Sequence, residues 1–373
     1  MAFLLLLRLA KVMGGLQTMK NGSLEATAKA LVAEGKGILA ADETVGTITN
    51  RFESLKITST EESRRTYREM LFTAPAVSEF ISGVIMYDET IRQKDSKGTP
   101  LAEVCTRLGI IPGIKVDTGT KDLAGSPGEK VTEGLDGLRD RLSEYYRMGA
   151  RFAKWRAVIR ITDRLPTQAC LSVNAHALGR YAALCQEQGL VPIVEPEVLM
   201  DGRHTIERCG EITGQMLHAV FNALYAQRVL LEGMLLKPNM VISGKDCAKQ
   251  ASVKEVAQAT LQCLSRHVPP AVPGIVFLSG GQHDRLATAH LNAINTLDSP
   301  KPWKISFSYG RALQDPALEA WHGESKNLQA GQQALYHRAK CNGAANVGKY
   351  TEEMEGDPAR ITAPAHRAEW HDD

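Results

Sequence analysis

The chain is predicted to fold as one α/β domain, a (β/α)8 TIM barrel, on three observations. Eight short apolar stretches recur along it, and each ends on polar residues or glycine. Helical patterns lie between them. The strand starts are spaced by roughly 30 to 45 residues, against about 31 per unit in a 250-residue barrel, which suits a decorated barrel. Strand and helix alternating eight times imply parallel strands with helical crossovers, and eight such units close a barrel.

The strands are expected, in order, at Gly37–Asp42, Ser82–Tyr87, Gly113–Asp117, Phe152–Ile159, Val191–Leu199, Leu231–Asn239, Gly274–Gly281 and Lys304–Gly310. Their length, β-branched content and flanking glycines and prolines favour buried strands over helices. Between them, Val253, Val256, Ala257, Thr260, Leu261 and Leu264 fall on one helical face, closed by His267 with Pro269 and Pro270. Two further helices are expected, over Asn174 to Gln188 with Gly189 as C-terminal cap, and over Glu211 to Gln227. The barrel is expected to occupy residues 25–350, with an N-terminal extension over 1–24 and a mobile polar tail over 351–373.

With 44 basic and 42 acidic side chains and no block of like charge, the chain offers no electrostatic footprint for nucleic acid or an anionic membrane surface. The apolar run from Phe3 to Leu7 stops at Arg8, far short of the roughly 20 residues of a membrane span and shorter than the roughly 7 to 15 of a secretory signal core. Residues 1–24 hold Arg8, Lys11 and Lys20 but no acid before Glu25. A weak organellar presequence and a start further in, at Met13 or Met19, both account for that. Seven cysteines without a C-x-x-C pair suit reduced thiols, and a cytoplasmic protein is expected.

In such barrels the active site lies at the C-terminal ends of the strands. Those ends carry Asp42, Lys115 with Asp117, Lys154 with Arg156, Glu195 with Glu197, Lys237, Ser279 with Gly280 and Gly281, and Ser308 with Gly310 and Arg311. Each charge alone reads equally well as a structural ion pair. Their joint placement at seven strand ends favours a site. Lys154 and Arg156, and likewise Glu195 and Glu197, are two apart and share a face.

Lys237 is the sharpest candidate, because Pro238 ends its strand and the three residues before it are apolar. A lysine of ordinary pKa is neutral in only roughly 4 of 10,000 molecules at pH 7, so a nucleophilic one must be activated. Burial and the neighbouring cations Lys154 and Lys115 would lower its pKa, as Schiff-base chemistry requires. Glu195 and Glu197, on either side of Pro196, would supply the proton transfers, one of them held protonated by mutual repulsion opposed by Lys154.

The glycine-rich ends of the last two strands mark a phosphate site, gripped by Arg311. Lys115, Arg51 and Arg156 would hold a second phosphate, so the ligand reads as a doubly phosphorylated small ketone. Ten scattered histidines without H-x-H or H-E-x-x-H, and no G-x-G-x-x-G after a strand, give no expectation of a metal or a nucleotide cofactor.

These residues resemble class I fructose-bisphosphate aldolase. GKGILAADET, GIKVDTG, RFAKWRAV, LVPIVEPEVL, LLEGMLLKPNM, VFLSGGQ and SFSYGRAL are similar to that family's motifs in order, from about Leu31 to Tyr350, and LLEGxLLKPN is its Schiff-base signature. The resemblance implies a cytoplasmic, metal-independent homotetramer of glycolysis and gluconeogenesis, without cofactor. It would reversibly cleave fructose 1,6-bisphosphate to dihydroxyacetone phosphate and glyceraldehyde 3-phosphate. By motif, Lys237 forms the Schiff base and Glu195 is the main acid and base. Asp42 and Lys154 orient the intermediate, with Glu197 in support. Ser279, Gly280, Gly281, Ser308, Gly310 and Arg311 take one phosphate. Arg51, Lys115 and Arg156 take the other end, with Thr44 and Thr47 also counted as substrate-binding.

The chain departs from the family pattern at three places. Thr44 stands where serine is commoner, Asn50 stands where a lysine is frequent and weakens the second phosphate site, and the chain ends in Trp-His-Asp-Asp where many members end in a tyrosine. A transaldolase-like Schiff-base enzyme would lack one phosphate, which the Arg51, Lys115 and Arg156 group opposes. A non-catalytic scaffold of the same fold would not need Lys237 and Glu195. Cleavage is expected to persist with proton exchange at C3 limiting. If deleting residues 351–373 sharply slows that exchange in deuterated water, a residue of the tail performs it.

Overall fold

A computed structural model describes residues 22–356. All eight expected strands are present: β1 (Gly37–Ala41), β2 (Ile81–Met86), β3 (Ile111–Lys115), β4 (Phe152–Ile159), β5 (Val191–Val198), β6 (Leu235–Leu236), β7 (Gly274–Phe277) and β8 (Lys304–Tyr309). They pair in parallel in sequence order, and β1 closes the barrel against β8. A short antiparallel hairpin, Thr120–Asp122 with Lys130–Thr132, was not anticipated.

The sixth strand is much shorter than expected. Leu231–Gly233 forms a 3-10 turn, and pairing with β5 stops at Lys237, whose N–H donates to Val194 O at 2.8 Å, while on the other side Pro238 O still accepts from Leu278 N at 3.2 Å. Pro238 has no N–H to continue the ladder. Asn239 instead offers its side-chain Oδ1 to Val198 N at 3.0 Å. The sequence around Lys237 is therefore held by a side chain where backbone pairing with β5 ends.

The crossover helices start where hydroxyl caps allow. Gln168–Glu187 begins six residues before the expected Asn174, because Thr167 accepts from Cys170 N. Ile206–Ala226 begins five residues before Glu211, because Thr205 accepts from Arg208 N. Val253–His267 has the expected end and opens on a Ser252–Glu255 capping box. Gly189 follows the first of these helices with φ at 80°, the left-handed turn expected of its cap.

Along each strand alternate residues face the barrel axis. Ile38, Ile85, Phe152, Val191, Ile193 and Leu235 fill the lower interior, and residues 22–31, a helix, cover it from below with Leu24, Ala28 and Leu31. Leu24, assigned above to an extension, is thus part of the barrel floor. At the other end Glu352–Glu355 forms a turn fixed by Glu355, whose carboxylate accepts from Arg338 and from Tyr350 Oη. The folded body therefore reaches past the expected boundary at 350. A deletion meant to test the tail alone should start at residue 357, since one from 351 also removes Glu355. The expected presequence character of residues 1–21, and the tail from 357 on, lie outside the described residues.

All seven cysteines are free, and six are buried. Among the described residues no helix is long and apolar enough to cross a membrane.

Close packing of the interior makes one glycine indispensable. A Cβ on Gly113 would lie 2.3 Å from the Phe152 ring. Gly113→Ala should destabilise the barrel by about 1–3 kcal/mol through overpacking, measured by urea denaturation. Phe152→Leu in the same chain should recover part of that loss.

Candidate active site

The row of inward-facing residues that is apolar at the barrel floor becomes charged at its upper end. Asp42 follows Ala40, Lys154 follows Phe152, Glu195 follows Ile193 and Lys237 follows Leu235, each by two positions. Strand registry sets them side by side, with Lys115 beside Lys154 and Arg156 beside Glu195. Lys154, Glu195 and Lys237 are 4%, 3% and 4% exposed, and Asp42 is 9% exposed. At such burial an unpaired charge is too costly to persist.

They form one alternating chain. Lys154 Nζ lies 2.7 Å from Asp42 Oδ2 and 3.4 Å from Glu195 Oε2, while Lys237 Nζ lies 3.1 Å from Glu195 Oε1. Burial alone would raise the Asp42 carboxyl, but the Lys154 and Lys237 ammonium groups outweigh it and hold the carboxyl below its usual range. Burial alone would lower Lys154, yet Asp42 and Glu195 outweigh it and keep the amine well above the ordinary lysine value. Lys154 is thus a fixed cation. Lys237 has one carboxylate where Lys154 has two.

The remaining expected residues gather around this chain. A cavity of about 170 Å³ is lined by every candidate residue named above except Asp117 and Gly281, including Thr44 and Thr47. Thr44 caps the helix Val45–Ser54, its Oγ1 accepting from Thr47 N at 3.2 Å. Gly281 stands just behind, where a Cβ would lie 3.6 Å from Arg311 Nη2. Gly280 and Gly281 have φ of 60° and 82°, a double left-handed bend that side chains resist. Ser308 Oγ is buried with no hydrogen-bond partner. Gly310 precedes the helix Arg311–Trp321, whose first N–H groups receive no side-chain cap. Among the described residues Arg311 is the cation of this cavity without a carboxylate partner. A curled glycine loop, an orphan hydroxyl, a helix N-terminus and a free guanidinium make an anion site.

The three cations expected at a second phosphate are differently placed. Lys115 Nζ binds Asp117 Oδ1 at 2.5 Å, and Arg156 Nε binds Glu197 Oε2 at 2.5 Å. Arg51 is held by Glu43 and, at 3.0 Å, by Asp315 Oδ1. Glu197 is therefore tied to Arg156, and it is Glu195 that bridges the two lysines; the expected repulsion within the Glu195–Glu197 pair is offset by separate cationic partners.

Several supporting residues escaped the sequence reading. Glu43 also accepts from Arg68 and Gln314, fixing the loop after β1. Asp315 sits one helical turn after Arg311, a spacing that could have pointed to it. Gln282 Nε2 donates to Ser279 O at 3.0 Å, and its Oε1 lies 2.6 Å from buried His290 Nδ1. Burial pushes His290 down to about 4, so a neutral imidazole donates to Gln282 and braces the glycine loop. Nothing in the sequence pattern marked that pair.

The family model described as fructose-bisphosphate aldolase class-I matches residues 23–366. A probable fructose-bisphosphate aldolase class 1 of Xylella fastidiosa is 59% identical over 328 residues, covering 88% of this chain and 98% of that protein. The fructose-bisphosphate aldolase of Dictyostelium discoideum is 53% identical, over 88% of this chain and 93% of its own. Cytosolic fructose-bisphosphate aldolase 5 of Arabidopsis thaliana is 52% identical, over 89% and 93%. The solved fructose-bisphosphate aldolase of Plasmodium falciparum, in complex with TRAP and a small-molecule inhibitor, superposes with a TM-score of 0.88 at 47% identity, over 89% of this chain and 96% of that one. The chain belongs to the class I fructose-bisphosphate aldolase family.

Proposed function

We propose that this chain reversibly cleaves fructose 1,6-bisphosphate to dihydroxyacetone phosphate and glyceraldehyde 3-phosphate through a Schiff base on Lys237. The observation that carries the reading is the buried chain Lys237–Glu195–Lys154–Asp42 at the inner wall of a cavity with an anion site. Lys237 passes its ammonium proton to Glu195, and the neutral amine attacks C2 of the ketone, its remaining excess proton moving to the C2 oxygen to give the carbinolamine. Glu195, within 3.1 Å of that amine, delivers the proton with which the carbinolamine hydroxyl departs as water. Now ionised, Glu195 accepts the C4 hydroxyl proton as the C3–C4 bond breaks and its electron pair moves into the iminium to form an enamine. Protonation at C3 and addition of water release the ketone product and the free amine. Lys154 and Asp42 keep opposite charges beside the reacting carbons throughout.

The glycine loop, Ser308, Gly310 and Arg311 would hold the phosphate nearest the Schiff base. Arg51, Lys115 and Arg156 would meet the distal phosphate, which must compete with the carboxylates of Glu43, Asp315, Asp117 and Glu197. Asn50, on the cavity wall, adds no charge there.

Cytosolic location follows the named Arabidopsis relative, and assembly as a homotetramer is part of the same proposal. A groove of about 1500 Å³ across the helices Gln168–Glu187, Ile206–Ala226 and Val253–His267 supports an interface there, with Ala175, Ala219 and Ala223 on its wall. Neither a metal nor a cofactor enters the proposed steps.

Incubation with dihydroxyacetone phosphate, borohydride reduction and peptide mass mapping should place a covalent adduct on Lys237. Lys237→Ala should abolish both adduct and cleavage; full activity in that variant would overturn the proposal. Asp42→Asn should cost about 3 kcal/mol of stability at pH 7, since it strips Lys154 of its nearest carboxylate. The folded Asp42 carboxyl lies below its unfolded value of 3.8, so its contribution is complete above that range and is lost as pH falls through the lower folded value. Urea melts should show the gap between Asp42→Asn and the parent closing below about pH 4.

A further inference from the structure

A second set of reactive side chains lies where the last long helix meets the C-terminal turn. His337 and Cys341 are one turn apart on the helix Leu328–Asn346, so both face the same side, and Glu355 comes to them from the turn Glu352–Glu355. Among the described residues this is the one group of three such side chains whose donor atoms all lie within 4.8 Å of one another. None of the three lines the cavity described above.

We propose that His337, Cys341 and Glu355 bind one divalent metal ion of the Zn²⁺ class. The donor set is a nitrogen, a sulfur and a carboxylate oxygen, the mixture that such borderline-soft ions take. Bonds of about 2.3 Å to sulfur and about 2.0–2.1 Å to nitrogen and oxygen give tetrahedral edges of about 3.6 Å and 3.3 Å. Cys341 Sγ lies 3.8 Å from His337 Nε2, and His337 Nε2 lies 3.7 Å from Glu355 Oε2. Those two edges need shifts of only a few tenths of an ångström to close on an ion, and the third, from Cys341 Sγ to the Glu355 carboxylate, is within 4.8 Å. His337 is the open side of the site, with 43% of its side chain exposed, so an ion can enter there and keep water as a fourth ligand.

The surroundings resemble the outer shell of a metal site. Tyr350 Oη donates to Glu355 Oε1 at 2.9 Å, Arg338 Nη1 donates to both oxygens of that carboxylate, and Arg285 Nε lies 3.5 Å from Oε2. Two arginines already pair with this carboxylate, Arg338 being shared with Asp284, whose Oδ2 lies 3.6 Å from its Nε, so an ion shares Glu355 with them and takes most of its charge compensation from the Cys341 thiolate. Binding releases the thiol proton of Cys341, and any proton on His337 Nε2, so the two incoming charges are largely exchanged for protons. The site is separate from the reaction, and an occupied site would tie the C-terminal turn to the helix by coordination as well as by the Arg338 pair.

Titration of the metal-free, full-length protein with Co²⁺ tests this. One equivalent should produce a thiolate-to-cobalt absorption band with the intense visible bands of a tetrahedral ion, and Zn²⁺ should bleach both by displacement. Cys341→Ser should abolish the charge-transfer band, and His337→Asn should weaken binding by about tenfold or more, both variants being checked by circular dichroism. Cys247→Ser, which removes the one partly exposed cysteine outside the site, should change nothing. The proposal is overturned if no band forms, or if the band survives Cys341→Ser or vanishes with Cys247→Ser. Should Cys341→Ser not fold, His337→Asn decides alone: undiminished Co²⁺ affinity overturns the proposal.

Discussion

Desolvation of charge at the upper end of the barrel is the constraint on which the rest of the structure depends. Four ionisable side chains with 9% exposure or less can coexist only as an alternating chain, and the barrel geometry supplies one from four different strands. Remove the registry of β4 with β5 and Glu195 no longer reaches Lys154 and Lys237 together. The same requirement explains why Lys154 is locked as a cation by two carboxylates. Lys237 pairs with the other oxygen of Glu195, at 3.1 Å.

Apolar and charged rows are one continuous pattern, which is why so much of the site could be read from the sequence. Period-two alternation carries Phe152 to Lys154 and Ile193 to Glu195 on the same inward face, so a charge at the end of a buried row must point into the mouth. Strand ends therefore disclosed Asp42, Lys115, Lys154, Glu195 and Lys237 before any coordinates. The partners of the outer cations were not legible in the same way. Asp315 reaches Arg51 from 264 residues away in sequence. Glu43 follows Asp42 directly and so points off the inward row. Helix starts moved for a local reason, since Thr167 and Thr205 are caps whose hydrogen bonds outweigh the apolar periodicity used to place those helices. The sixth strand shrank at its start because Leu231–Gly233 forms a 3-10 turn, and at its end because Pro238 has no N–H to continue the ladder. Glu355 was hidden by its polar neighbourhood, since composition alone cannot distinguish a solvated glutamate from one buried against Arg338.

Floor and mouth divide the work of the fold. Below, the helix at residues 22–31 seals an apolar interior that sets stability. Above, the loops around the candidate site are each braced by a polar side chain with little exposure. Gln282 and neutral His290 fix the glycine loop, Gln314 and Glu43 fix the loop after β1, and Asn239 fixes the backbone beyond Lys237. Such braces suit a site that must hold its geometry while charges change within it.

The mouth is not the cationic funnel that its lysines and arginines suggest. Arg51, Lys115, Lys154, Arg156, Lys237 and Arg311 face Asp42, Glu43, Asp117, Glu195, Glu197 and Asp315, so the cluster is balanced as closely as the chain itself, at +2 overall. A neutral cluster gives up long-range attraction for an anionic substrate but keeps every charge in place before it arrives. Only the end at Arg311 can accept a phosphate without breaking an existing pair. The other end must exchange a carboxylate for a phosphate, an exchange whose net gain is small because both partners are anions in similar surroundings. Under the proposed reading, binding strength is therefore concentrated at the Arg311 end, the end that would hold the substrate while the bond to the departing aldehyde breaks and the second fragment leaves.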